Sequence, residues 1–396
     1  MASPRTGVIT FSRLHLPGSS LPSWSSSDQN LAGLHLSTEG KIETEGAGFL
    51  QADFANEYIG GGVLRSGLVQ EEIRFTICPE LIATMLFSER LSASESIGVY
   101  GVEQFSLYSG YGDSFRFEGR MKDSTDRDTS GRRLTYVVAM DAIRFSGDKE
   151  LQFRTDKVVR ELNKAFVAYG GWNSREVRLP AVATGNWGCG AFGGDPRLKL
   201  LIQLMAASKA GRDLAYFTFG NEELMSDGGR VYNRLVKNGV TVGQLFRSIA
   251  SFNNSSRTRR GKELFEWVLD QLDDKSERIE GVFDADIFDD LCDNSDETEP
   301  VGNQEENCTG EQKTHFTPNA NLGKQEEGVK KENVPENHAQ GMLTILDSME
   351  KGELASNADK KVVIKESKGL RVTAEQSFDS NMTSTKQSKL TDFFKK

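Results

Sequence analysis

The feature that most constrains this chain is a break in composition near residue 273. All eight tyrosines lie at or before Tyr232, and the last tryptophan is Trp267. Beyond that point the chain runs through stretches such as DDLCDNSDETEP and KQEEGVKKENVPENH. Segments of this kind bury too little apolar surface to offset the entropy of ordering them. The sequence therefore predicts one folded domain within residues 1–272, its body running from about Gly7 to Leu272. It predicts a disordered, polar and acidic tail over residues 273–396.

Within the body, strand-like and helix-like stretches alternate. Gly48–Phe54, Ile97–Val102, Leu134–Ile143, Leu179–Ala183 and Leu214–Phe219 read as strands. Pro79–Leu91 and Lys157–Tyr169 have helical periodicity. Asp195-Pro196 supplies an N-cap and a first-turn proline for LKLLIQLMAASKA, and Gly211 suits its end. Thr241 and Gln244 match a capping box opening TVGQLFRSIASF. This alternation predicts an α/β fold, a sheet layered with helices, with ligands beyond the carboxyl ends of the strands.

Charge and residue placement exclude several chemistries. A net charge of -10 argues against a broad basic groove for duplex DNA. No secretory signal and no membrane-spanning apolar run is visible. Cys78, Cys189, Cys292 and Cys308 show no metal-ligand spacing and read as unpaired thiols in a reducing compartment. The histidines are His15, His35, His315 and His338, so none falls between Leu36 and Thr314. Histidine-based triads and histidine-ligated catalytic metals are thereby excluded from the core. Acid–base chemistry there falls to carboxylate, tyrosine or lysine.

Three segments concentrate candidate chemistry. The first contains Asp53 and Asn56, then Gly60, Gly61 and Gly62, then Gln70-Glu71-Glu72. The second runs Thr184-Gly-Asn-Trp-Gly-Cys-Gly-Ala-Phe-Gly-Gly-Asp195. The third is Tyr216-Phe-Thr-Phe-Gly-Asn221. Glycine loops after strands make either ordinary tight turns or anion-binding nests, and the second loop enters a helix whose N-terminus also attracts phosphate. Glu71 and Glu72 read either as a solvated pair or as the two carboxyls of glycoside cleavage. Adjacent side chains point apart on a regular element, so joint action implies an irregular loop. Tyr111, Phe192 and Phe219 serve either as core or as stacking faces for a base, with Phe192, set between glycines, favouring the second.

These residues carry a resemblance. GGGVLRSGLVQEE and VATGNWGCGAFGGDPRLKLLIQL are similar to the signature loops of poly(ADP-ribose) glycohydrolases. GFLQADFANEYIGGGV, QFSLYSGYGDSFRF and LAYFTFGNEELM share the likeness, which spans about Phe11 to Ile249. The resemblance implies a macrodomain-like mixed sheet between helices. It implies hydrolysis of ribose–ribose bonds in poly(ADP-ribose), mainly from the free end, without metal or cofactor. Poly(ADP-ribosyl)ated proteins are the implied partners. Glu72 would be the general acid and base, and Glu71 would bind ribose hydroxyls. Asp53 and Asn56 would line the site. Gly60, Gly61, Gly62, Gly188 and Gly190 would hold the diphosphate, and Asn186 and Phe192 the terminal ADP-ribose. Tyr111 and Phe219 would flank the adenine, and Glu43 would reach its polar edge. Family members generally carry a helical accessory domain before the macrodomain, and the expectation is that most of it is missing here. The alternatives are a macrodomain that reads ADP-ribose without cutting it, and a clamp-tethered adaptor with a vestigial site.

The tail holds a second resemblance. Gln387, Leu390, Phe393 and Phe394 are similar to the box that binds the DNA sliding clamp PCNA. One helical turn puts the leucine and phenylalanines on one face for an apolar pocket, while Gln387 reaches a polar one. Nuclear localisation follows as an expectation, with a cytoplasmic pool allowed. Arg257–Lys262 reads either as a nuclear signal or as a solvated basic loop.

Overall fold

Short buried runs make the central strands, and one of them, Val182–Gly185, ends where the second glycine loop begins. The computed structural model describes residues 7–145, 147–170, 181–254, 263–273 and 360–368. Residues 294–354 separate as a second unit and lie outside the described residues. So do the clamp box at 387–394 and the basic run at 257–262.

The main sheet contains β1 (Gly7–His15), β2 (Leu34–Ser37), β3 (Leu50–Asp53), β4 (Glu95–Tyr100), β7 (Tyr136–Ala139), β8 (Val182–Gly185), β9 (Leu214–Phe217) and β10 (Lys360–Lys368). Their order is β10-β1-β4-β7-β3-β8-β9-β2. β4 runs antiparallel to β1 and β7, and the other neighbours are parallel. The carboxyl ends of β3, β7, β8 and β9 therefore share one edge of the sheet. β3, β8 and β9 are buried at every position, which is why they read as unbroken runs instead of alternating ones. A small hairpin, β5 (Ser106–Ser109) with β6 (Arg116–Arg120), stands apart from this sheet.

The helices are α1 (Gln70–Ile77), α2 (Thr155–Gly170), α3 (Pro196–Lys209), α4 (Glu222–Lys237), α5 (Val242–Asn254) and α6 (Leu264–Asp273). α3 is buried from Leu198 to Ser208 and packs against α2, α4, α5, α6 and β9. It is apolar on nearly every side because it is surrounded. Its cap matches the expectation, with Leu198 N–H donating to the Asp195 carboxylate at 2.9 Å. The capping box also forms: Gln244 N–H donates to Thr241 Oγ1 at 3.3 Å, and Thr241 N–H to Gln244 Oε1 at 3.1 Å.

Several expectations are corrected. Glu71 and Glu72 lie in the first turn of α1, not on an irregular loop. Pro79–Leu86 is a 3-10 helix that stops short of Leu91. The strand expected over Leu134–Ile143 covers only Tyr136–Ala139. Of the tail read as disordered, the described residues are Asp273 and Lys360–Lys368, the latter forming β10, parallel to β1. Its run of Val362, Val363 and Ile364 suits a strand. Among the described residues no helix is long and apolar enough to cross a membrane.

Candidate active site

At the carboxyl end of β3, the loop over residues 54–67 wraps around the first turn of α1. Gln70, Glu71 and Glu72 all reach back to it. Phe54 N–H donates to Gln70 Oε1 at 2.7 Å, and Gln70 Nε2 donates to the Ala52 carbonyl at 3.2 Å. Glu71 accepts from Gly60 N–H at 2.6 Å and from Asn56 N–H at 2.9 Å. Glu72 accepts from Gly62 N–H at 2.9 Å and from Val69 N–H at 3.1 Å. The last bond satisfies an otherwise orphan amide at the helix start.

The two carboxylates converge on Gly61. A Cβ there would lie 2.6 Å from Glu72 Oε1 and 2.7 Å from Glu71 Oε2. Gly60 and Gly61 both have positive φ, which bends the loop over the helix end. Joint action thus comes from a loop folded over a helix terminus. It also corrects the expected role of the triglycine. The amides of Gly60 and Gly62 are taken by the glutamates and that of Gly61 by the Tyr58 carbonyl at 3.2 Å, so none is left for a phosphate.

Behind the pair lies Asp53, with no exposed surface. Neither of its oxygens has a hydrogen-bond partner among the described residues. It therefore does not line the surface of the site. Burial pushes its pKa up to about 7; Arg74 opposes the shift and Glu72 adds to it. Burial also raises Glu71 well above the usual carboxylate range, with the Asp53 charge adding to it and the Asn56 and Gly60 amides opposing it. Of these acids, Asp53 feels the charge of buried Arg74, whose Nη2 donates to Gln51 Oε1 at 2.5 Å. Burial and mutual repulsion thus favour the protonated forms of Asp53 and Glu71.

The second loop follows β8. Its turns close on themselves: Cys189 N–H donates to the Asn186 carbonyl at 3.0 Å, Gly193 to Gly190 at 3.0 Å, and Gly194 to Gly188 at 2.9 Å. Among the described residues, the amides of Gly188, Gly190, Ala191 and Phe192 have no protein acceptor. Open backbone amides in a glycine-rich loop are the raw material of an anion-binding nest. The N-terminus of α3 is not part of it, since Asp195 caps the helix and Pro196 has no N–H. Asn186 is tied down on both sides: its Nδ2 donates to the Thr218 carbonyl, and its Oδ1 accepts from the Tyr216 hydroxyl, both at 3.0 Å. Phe192 is partly buried against the main core, so it is less free than its glycine neighbours suggested.

Phe219 and Tyr111 present about half their surface, at 48% and 53%. Phe219 adopts φ 53, rare for a bulky residue, and its ring lies 2.9 Å from where a Gly185 Cβ would be. Burial raises the Tyr111 hydroxyl pKa; the Gln70 amide opposes the shift and the nearby Glu72 charge adds to it. The hydroxyl thus sits against the start of α1. Glu43 accepts a hydrogen bond from the Tyr108 hydroxyl, and Lys41 Nζ stands 3.7 Å from the centre of the Tyr108 ring.

Sequence reasoning assigned no role to Arg74, Gly67, Tyr108 or Gln203. A Cβ at Gly67 would lie 2.7 Å from Glu72 Oε1, so this glycine completes the wall around that carboxylate. Gln203, on α3, donates to the Gly185 carbonyl at 3.0 Å and holds the end of β8. Their only sequence signal is polarity or smallness among apolar neighbours.

The model of the poly(ADP-ribose) glycohydrolase (PARG) family, macro domain fold, matches residues 21–226. The chain belongs to the poly(ADP-ribose) glycohydrolase family. It is 36% identical over 314 residues to probable poly(ADP-ribose) glycohydrolase 2 of Arabidopsis thaliana, covering 67% of this chain and 60% of the relative. It is 38% identical over 233 residues to poly(ADP-ribose) glycohydrolase 1 of Caenorhabditis elegans, covering 56% of this chain and 29% of that one. The chain thus spans less than two thirds of these relatives. Among solved structures, the Thermomonospora curvata poly(ADP-ribose) glycohydrolase bound to the inhibitor ADP-HPD is similar at 19% identity and a TM-score of 0.30. That match covers 48% of this chain and 74% of the solved one. The family's macrodomain architecture agrees with the mixed sheet described above.

Proposed function

We propose that this protein hydrolyses the ribose–ribose O-glycosidic bonds of poly(ADP-ribose), working from the free end and releasing ADP-ribose. The observation that carries this reading is the convergence of Glu71 and Glu72 on Gly61, backed by buried Asp53. A protein that only reads ADP-ribose has no use for a crowded, proton-retaining acid cluster.

In this reading the nest of Gly188, Gly190, Ala191 and Phe192 amides takes the diphosphate, and Phe219 offers a face to the adenine. Glu71 orients ribose hydroxyls. Glu72 gives a proton to the departing ribose oxygen as the anomeric C–O bond breaks. Negative charge in the cluster stabilises the oxocarbenium-like centre. Glu72 then takes a proton from the water that attacks it, which restores the acid. Asp53 and Arg74 set the proton count of the cluster. The tail box, Gln387 to Phe394, delivers the enzyme to the replication clamp in the nucleus. The support is its spacing of apolar residues for one helical face.

The test follows labelled poly(ADP-ribose) over time with the full chain and with Glu72→Gln. The full chain should release free ADP-ribose. The variant should bind the polymer with similar affinity and turn over about 100- to 10,000-fold more slowly. Polymer bound but left intact by both proteins would refute the hydrolase reading in favour of a reader.

A further inference from the structure

A buried ionic cluster lies directly under the second glycine loop. Lys199, on α3, forms an ion pair with Glu161 of α2, and their side chains are only 1% and 2% exposed. Glu161 also pairs with Arg160 at 2.7 Å and accepts from Ile143 N–H at 3.0 Å. Arg160 and Lys164 both pair with Asp141, the latter at 2.6 Å. The cluster therefore sets three cations against two carboxylates.

Lys199 is the member that meets the loop. Its Nζ stands 3.9 Å from the centre of the Trp187 ring. A Cβ on Gly188 would fall 3.3 Å from that Nζ, and one on Gly194 would fall 3.2 Å from Lys199 Cε. The glycines thus let the loop lie on the ammonium as well as letting it turn. The open amides of Gly188, Gly190, Ala191 and Phe192 belong to this same loop. With the α3 terminus capped by Asp195, the helix dipole is already spoken for.

We propose that Lys199 is a positioning residue for the diphosphate, a fixed buried charge beneath the loop whose strength is set by Glu161. This rests on the reading that the loop takes the diphosphate. Lys199 never touches the ligand. It holds the loop against the Trp187 face and adds attraction through a low-dielectric layer that salt screens poorly. Glu161 keeps the ammonium affordable in the core and moderates its field.

The charge signs make a test that packing alone does not reproduce. Affinity for ADP-ribose and for adenosine would be measured by calorimetry on the full chain, Lys199→Met, Glu161→Gln and the double variant. Lys199→Met should weaken ADP-ribose binding about tenfold and leave adenosine unchanged. Glu161→Gln should strengthen ADP-ribose binding, and the double variant should return toward the parent. A merely structural role predicts that both single changes weaken both ligands, and that pattern would overturn the proposal. If Lys199→Met fails to fold, Glu161→Gln alone decides by the direction of its effect. Unchanged ADP-ribose affinity in all variants refutes this inference only. No ADP-ribose binding by the parent refutes the diphosphate reading as well.

Discussion

Gly61 is the residue on which the acid pair depends most directly. It has φ 49, and any side chain there enters the space of both carboxylates. Gly61→Ala should lower kcat at least about tenfold, with a smaller loss of thermal stability, since the strained turn is on the surface of the fold. Steady-state kinetics beside a melting curve would check it, and parent-like turnover would show that the close approach is dispensable. Asp53 makes a prediction about pH. Its folded pKa of about 7 lies above its unfolded value of about 4, so the native state binds the extra proton between those limits. Its contribution to stability therefore falls as pH rises from about 4 to about 7. Asp53→Asn does not titrate, so its stability relative to the parent should improve over the same range, by on the order of 4 kcal/mol. Denaturant melts at several pH values would reveal this slope, and parallel pH profiles would dismiss the assignment.

At the scale of elements, the site depends on ends. α1 is short, and its first turn is completed by the loop that crosses it. α3 is long and buried, and supplies Gln203 to β8 and Lys199 to the glycine loop. The outer edge is different, because β10 comes from the distant tail and covers β1 in parallel register from Gly7–Lys360 to His15–Lys368. Alternate residues of a strand donate to the same neighbour, so prolines at Val362 and Val363 remove at least one donor facing β1. That double change should speed amide hydrogen exchange in β1 and leave turnover unaltered. Unaltered protection of β1 would argue that β10 contributes nothing to this edge.

For the whole molecule, the parallel sense of β10 with β1, and of β1 with β7 through β4, has a geometric result. Lys368 ends on the same edge of the sheet as Asp53 and Gly185. Phe393→Ala with Phe394→Ala should abolish binding to the clamp, measured by surface plasmon resonance, with solution kcat/KM unchanged. Retained clamp binding would reject the box.

Fold class was legible because its signals are local. Asp195-Pro196, the Thr241 and Gln244 pair and the buried runs of β3 and β9 act through neighbours in sequence. The site segments were legible as motifs for the same reason, since glycine clusters and paired glutamates stand out in any chain. The use of each residue was not. Whether a glycine amide faces a ligand or a glutamate depends on what the fold brings within 3 Å. Gly60 and Gly62 were thus misread as phosphate ligands, whereas the Gly188 loop kept its open amides. Arg74, Gly67 and Lys199 gain their meaning from partners on other turns or other elements. Sequence alone determined several helix caps and buried runs and the family motifs. Tertiary structure alone decided which carboxyls crowd together and which cation lies under the loop, because burial and charge proximity are properties of the packed chain.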